Sequence, residues 1–430
     1  MLVRKQRLLI PDVVDESATS GAASSTFVKN MALPVHRWFR YSAGFSADWV
    51  EQVIRNYRDR GPVRVFDPFA GSATTLIAAE SLGVESFGID SHPFVCRMTR
   101  AKLDWRTDPD AYLGKVRELR KVAKRQTPDT SGYPPLIYKC YDEAPLADLD
   151  ALRRAWAEVD DDTPASRLAW LTLVSILRKT SKAGTAPWQY VLPRKQKHAP
   201  KDVNSAFEET ARMFHRDMIA GQSLSGPRAG FAEVDARTCN DVPTGWNLVI
   251  TSPPYPNNYD YADATRLEMS FLREIDGWGD LQASVRRHLV RSCSQHVPER
   301  AVNLEEILTS EELRPIAAEI RSVCEELGEV RKNKGGKKTY HLMVACYFRD
   351  LAQVWRSLRR VCSPEATVCF VVGDSAPYGV YVPVIPWLGR LAESAGFKSF
   401  RFERTRDRNV KWKNRKHRVP LQEGRLWVES

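Results

Sequence analysis

Thr251-Ser252-Pro253-Pro254-Tyr255 brings a hydroxyl, two prolines and an aromatic ring together in five residues. The prolines fix φ and remove two backbone donors, so no sheet ladder continues through them and the flanking carbonyls point outward. The Ser252 hydroxyl and the Pro253 carbonyl can both accept from the N–H bonds of an amine, while Tyr255 offers a flat face to a planar ring. Acceptors placed in this way favour a pyramidal nitrogen, with its lone pair aimed at an electrophile. Proline pairs also occur in plain turns, so the motif needs a context.

The elements that must position these groups are legible on either side. Trp246-Asn247-Leu248-Val249-Ile250 reads as a buried strand, which places the Ser-Pro-Pro-Tyr loop at the carboxyl edge of a sheet, where α/β proteins bind ligands. Upstream, Val63-Arg64-Val65-Phe66-Asp67 runs into Pro68-Phe69-Ala70-Gly71-Ser72-Ala73-Thr74-Thr75 and then the helical Leu76-Ile77-Ala78-Ala79-Glu80. Such a strand, tight turn and helix start let a ligand approach the backbone closely at a helix N-terminus. About twenty residues further on, Phe87-Gly88-Ile89-Asp90 ends a second strand with a carboxylate, the spacing at which ribose hydroxyls are held. An ordinary βαβ turn would give the same pattern.

Asp-Pro-Phe-Ala-Gly-Ser-Ala-Thr-Thr resembles the Asp-Pro-Phe-x-Gly-Ser-Gly-Thr-Thr signature of S-adenosylmethionine-dependent DNA amino-methyltransferases, and Ser-Pro-Pro-Tyr resembles their catalytic motif. Ala73 departs from the glycine usual there. Pro34 to Ser46 is similar to the segment that packs around the methionine part of the cofactor, and Phe231 to Arg237 to the third strand, whose Asp sits beside the adenine. The likeness covers residues 30–105 and 230–275, and more loosely 345 to the end. It implies cofactor contacts at Tyr41, Phe45, Asp67, Pro68, Phe69, Gly71, Ser72, Thr74, Asp90, Ser91, Asp235, Ala236 and Ser252, with Ser252, Pro253, Pro254 and Tyr255 catalytic.

It also implies a Rossmann-like class I fold, a seven-stranded doubly wound sheet with largely helical insertions. Strands are expected at 63–67, 85–90, 231–235, 246–251, 366–373, 398–404 and 424–429. The domain organisation that follows is an N-terminal segment and cofactor half at 1–105, a helical insertion at 106–229, and a catalytic half at 230–275. A second helical and basic insertion at 276–340 precedes a C-terminal part of the core at 341–430. Segments 146–158, 166–180 and 203–220 read as helices. The cofactor half precedes the catalytic half, whereas many enzymes with this motif run in the other order.

Target recognition is expected from the insertions, because the core strands are committed to cofactor and chemistry. Arg178, Lys179, Arg194, Lys195 and Lys197 lie in a basic stretch interleaved with Trp188 and Tyr190, suited to phosphate contacts on double-stranded DNA. A solvated surface gives the same charge run. Gly335-Gly336-Lys337-Lys338 reads as a phosphate clamp or flap, and Arg404 to Arg418 as a flank of the DNA channel. The net charge of +11 fits a polyanionic partner. A restriction endonuclease encoded nearby is a further partner the resemblance raises.

The 430 residues, 43% hydrophobic, suffice for one elaborated domain or two smaller ones. Lacking any apolar run of about 20 residues, the chain is expected to have no membrane partner. An N-terminus without an apolar signal core leads to a cytoplasmic expectation. The eight cysteines show no zinc spacing, so no metal is expected, and they read as reduced, packed thiols. No Pro-Cys dipeptide occurs, which argues against the cysteine-dependent chemistry of cytosine carbon-5 methylation. Within the family, serine at the first motif position leans toward cytosine N4. Adenine N6, an RNA substrate and a non-catalytic nucleic-acid-binding protein remain alternatives.

Overall fold

The computed structural model describes residues 13–14, 27–41, 44–186, 189–196, 199–257, 259–335, 338–408 and 420–430. In chain order the strands are β1 (Val13–Val14), β2 (Arg64–Asp67), β3 (Glu85–Asp90), β4 (Ala183–Thr185), β5 (Val191–Gln196), β6 (Gly230–Glu233), β7 (Trp246–Thr251), β8 (Cys362–Gly373), β9 (Ser399–Arg408) and β10 (Leu421–Glu429). The fold is α/β and Rossmann-like, with a mostly parallel sheet of seven strands to which the two-residue β1 is added. Each of the seven expected strands is present. β9 runs four residues past its expected end, and β8 and β10 begin four and three residues early.

Residues divide into two compact units, one comprising 24–235 and 260–289, the other 1–23, 236–259 and 290–430. In the first unit β2, β3 and β6 run parallel, with Asp67 opposite Gly88 and Asp90 opposite Glu233. Parallel strands need crossover connections. The β2-to-β3 crossover is helix Thr74–Ser81, and the β3-to-β6 crossover contains the whole first insertion. That insertion forms helices Pro109–Ala123, Glu143–Val159, Pro164–Thr180 and Val203–Gly221, matching the helical periodicity.

The insertion shares one core with segment 35–41 and with helices Thr74–Ser81 and Pro93–Leu103. Trp38 stacks on Phe214 with ring centroids 4.1 Å apart, and Phe94 meets Trp170 at 5.6 Å. Buried Asp217, on helix Val203–Gly221, accepts from the Val35 amide, the Arg37 guanidinium and the Trp38 indole. The aromatic segment 34–38 is thereby tied to the insertion. β4 and β5 pair as an antiparallel hairpin inside the stretch that reads from sequence as a charged run.

In the second unit β7 pairs with β8 in parallel, and β10 lies antiparallel to both β8 and β9. The β10 register shifts between Glu423 and Gly424, which re-aims the ends of the neighbouring strands. Helix Tyr340–Val361 leads directly into β8 and buries Tyr347, Phe348, Leu351 and Trp355. No helix among the described residues is long and apolar enough to cross a membrane.

Candidate active site

In the first unit the chain leaves β2 at Asp67 and turns through Gly71, at φ +51°, and Ala73, at φ +64°, into helix Thr74–Ser81. The turn that the sequence flagged for its alanine does adopt left-handed backbone there, at a cost of roughly 1–2 kcal/mol for a residue with a Cβ. Asp67 is fully buried and accepts from the Phe69 amide at 3.0 Å. Pro68, Ser72 and Thr74 are buried as well, and Phe69 is half-buried. The Tyr41 ring packs over Gly71, where an added Cβ would touch Cε1 at 3.4 Å. Phe45 is buried edge-on against Trp49 at 5.9 Å.

Asp90 closes this turn from the end of β3. Its Oδ2 accepts from the Gly71 amide at 3.0 Å and its Oδ1 from the His92 amide at 2.9 Å. Burial raises the pKa of the carboxyl, while the amides of His92, Gly71 and Ser91 act to lower it. Ser91 donates to the His288 carbonyl at 2.8 Å. Asp235 follows β6 and is half-buried. The structure thus brings Tyr41, Gly71 and Asp90 together around one turn, an arrangement that fits a nucleoside-bearing cofactor whose hydroxyls meet a carboxylate and whose polar groups meet backbone amides.

Two residues that the sequence reading passed over support the turn from below. Thr99 donates to the Gly71 carbonyl at 2.5 Å and fully buried Lys102 donates to the Ser72 carbonyl at 2.7 Å. Both lie on helix Pro93–Leu103, where Val95, Thr99 and Lys102 share a face at helical spacing. A lysine at a position where that periodicity calls for an apolar residue was the available signal.

In the second unit the Ser-Pro-Pro-Tyr segment follows β7 as a loop. Ser252 is half-buried and its Oγ donates to the Val371 carbonyl of β8 at 3.3 Å. With its proton directed at a carbonyl, the hydroxyl keeps lone pairs to accept from an amine. Pro253 is buried, whereas Pro254 and Tyr255 are half-buried. The guanidinium of Arg408 lies over the Tyr255 ring, 5.0 Å from its centroid. Asp374 stands just beyond β8, 3% exposed, accepting from the Tyr381 hydroxyl at 3.1 Å. Burial pushes its carboxyl up to about 6. Ala236, also in this unit, is buried, and its carbonyl accepts from Ser357.

The basic residues separate into different environments. Arg178 is directed inward: it pairs with buried Glu268 at 2.6 Å and donates to the Gln189 and Ala264 carbonyls. Those bonds give it a structural place in the first unit, not a phosphate-facing one. Lys179 donates to Thr210 at 2.9 Å. Arg194 and Lys195 are exposed on β5, and Lys338 is exposed before helix Tyr340–Val361. Lys197, Trp188 and Lys337 lie outside the described residues, as does most of the basic stretch 404–418.

Comparison with known proteins points one way. A family model described as DNA methylase matches residues 13–101. The chain is 25% identical to the Type II methyltransferase M.BsoBI of Geobacillus stearothermophilus, over 90% of this chain and 83% of that one. It is 26% identical to the Type II methyltransferase M.AvaI of Nostoc sp., over 86% of this chain and 81% of that one. A shorter match, 36% identical over 16% of this chain and 13% of the other, is to the Type II methyltransferase M.MjaII of Methanocaldococcus jannaschii. No solved structure gives a significant match.

Proposed function

We propose that this chain, an S-adenosylmethionine-dependent DNA amino-methyltransferase of the restriction-modification type, methylates the N4 amine of a flipped cytosine in duplex DNA. The observation that carries this reading is the Ser252 hydroxyl at the end of β7, its proton directed at Val371 and its oxygen left to accept, with Tyr255 three residues on. Serine at this motif position favours cytosine. The same acceptors would serve adenine N6, which is the second reading.

An exocyclic amine is a poor nucleophile because its lone pair is delocalised into the ring. Accepting its N–H bonds at Ser252 Oγ and the Pro253 carbonyl opposes that delocalisation. Tyr255 supplies a stacking face for a base extruded from the duplex. The cofactor supplies an electrophilic methyl on a sulfonium. Asp90 would hold its ribose hydroxyls and the Gly71-Ser72 turn would meet its polar groups, so alignment is most of the remaining task. No covalent enzyme intermediate is needed. Arg194, Lys195 and Lys338 are the described cations we assign to phosphate contacts, and a cognate endonuclease is the partner this type of enzyme would protect against.

Ser252→Ala and Tyr255→Ala test the reading. Tyr255→Ala should keep S-adenosylmethionine affinity by calorimetry, and Ser252→Ala, at a position the resemblance also sets against the cofactor, should lose far less affinity than turnover. Losing a stacking face worth about 1–3 kcal/mol should cut turnover strongly in Tyr255→Ala. Loss of cofactor binding in step with turnover would assign the motif to the cofactor instead of the base.

A further inference from the structure

We propose that Arg408 is a positioning residue for methyl transfer, fixing the Tyr255 ring from behind so that its opposite face meets the target base. The proposal rests on the reading that Tyr255 stacks on that base. A guanidinium 5.0 Å from the ring centroid is within the range of a cation–π contact. Planar guanidinium stacks on an aromatic face in a way that a lysine ammonium does not.

The surroundings hold Arg408 in place. Its Nη1 donates to the Asp374 carbonyl at 2.7 Å, just past the end of β8. Its Nε lies 3.6 Å from Glu423 Oε2, while Arg406 makes the closer bonds to Oε1 of that buried carboxylate, at 3.0 and 2.6 Å. In β10, Glu423 faces Gly373 on one side and Arg406 on the other, so the register itself brings the Arg408 end of β9 across the end of β8. Gly373 makes the crossing possible: a Cβ there would stand 2.7 Å from Arg408 Cδ. The side chain is only 12% exposed. An arginine merely solvating a strand end would not need a glycine beneath its stem, a carbonyl at its tip and an aromatic ring under its guanidinium carbon.

The physical role follows. Tyr255 emerges from a loop after two prolines, and each contact on its ring reduces the rotameric freedom that such a loop would leave it. Stacking Arg408 on one face removes that freedom before the base arrives, so less ordering accompanies base docking. The effect belongs to the chemical step and to capture of the base, with none on the cofactor.

Initial rates of the full-length protein on unmethylated genomic DNA with radiolabelled S-adenosylmethionine test this, in a cycle of Arg408→Gln and Tyr255→Leu. Arg408→Gln should lower kcat about tenfold and leave the cofactor KM within about twofold, with Arg408→Lys in between. In the Tyr255→Leu background the same change should cost less than about twofold, because the two residues act as a unit. Gly373→Ala, which displaces the arginine without removing it, should reproduce the kcat loss. Equal losses in both backgrounds would make Arg408 a general structural residue and overturn the proposal. So would full kcat in Arg408→Gln while Tyr255→Leu is impaired. Full activity of Tyr255→Leu itself would instead overturn the base-stacking reading, and the proposal with it.

Discussion

Lys102 Nζ donates to the Ser72 carbonyl at 2.7 Å from a side chain with no solvent exposure, so a lysine sits directly beneath the turn that follows β2. Burial pushes its amine down to about 7, and the neighbouring cation in turn helps burial hold His36 down at about 3. The turn is therefore supported by a group that the fold would rather keep neutral.

That relationship predicts a stability slope. The folded chain holds the Lys102 proton less tightly than the unfolded one, so this group's contribution is present above pH 10.5 and is lost as pH falls through about 7. Urea unfolding at pH 7 and pH 9 should show wild type gaining roughly 2–3 kcal/mol relative to Lys102→Met between the two. His36, already neutral throughout that window, does not contribute. A constant difference at both pH values would place the amine in water.

Asp374 gives the mirror case. Its carboxyl, pushed up to about 6 by burial, is charged at neutral pH against the preference of its surroundings. Folding is favoured below the unfolded value near 3.8, and that contribution is lost as pH rises through about 6. Asp374→Asn should thus gain roughly 2–3 kcal/mol on wild type between pH 4 and pH 8. Parallel stability curves would contradict the assignment.

Asp90→Ala should weaken S-adenosylmethionine binding by about 1–3 kcal/mol, since the Gly71 and His92 amides and the ribose hydroxyls lose a common acceptor. Calorimetry on the folded variant measures this directly. An unchanged affinity would remove Asp90 from the cofactor site.

Reversing the charge of exposed Arg194 and Lys195 on β5 should weaken binding to all DNA sequences and flatten the log–log salt dependence by about 2. Cofactor affinity should not move. Arg178→Gln, by contrast, should show its effect in thermal stability, because it strands buried Glu268.

The sheet was legible because its strands carry short apolar runs that end at punctuating residues, Asp67, Asp90 and Pro253 among them. The same local logic located the Gly71 turn and the Ser-Pro-Pro-Tyr loop. Residues whose roles depend on partners far along the chain were not legible. Arg178 reads as one cation among several until Glu268, ninety positions later, is seen against it. Arg408 acquires its place only through the pairing of β9, β10 and β8. The β4–β5 hairpin was hidden by its charge and by Pro193, which a two-stranded sheet tolerates on its edges.

Methylation of otherwise unmodified plasmid DNA by the purified protein, followed by digestion to nucleosides and mass spectrometry, tests the central claim most directly. N4-methylcytosine is the expected product, formed more slowly by Ser252→Ala. N6-methyladenine as the product would contradict the base assignment while keeping the amine chemistry, and 5-methylcytosine would contradict the chemistry itself.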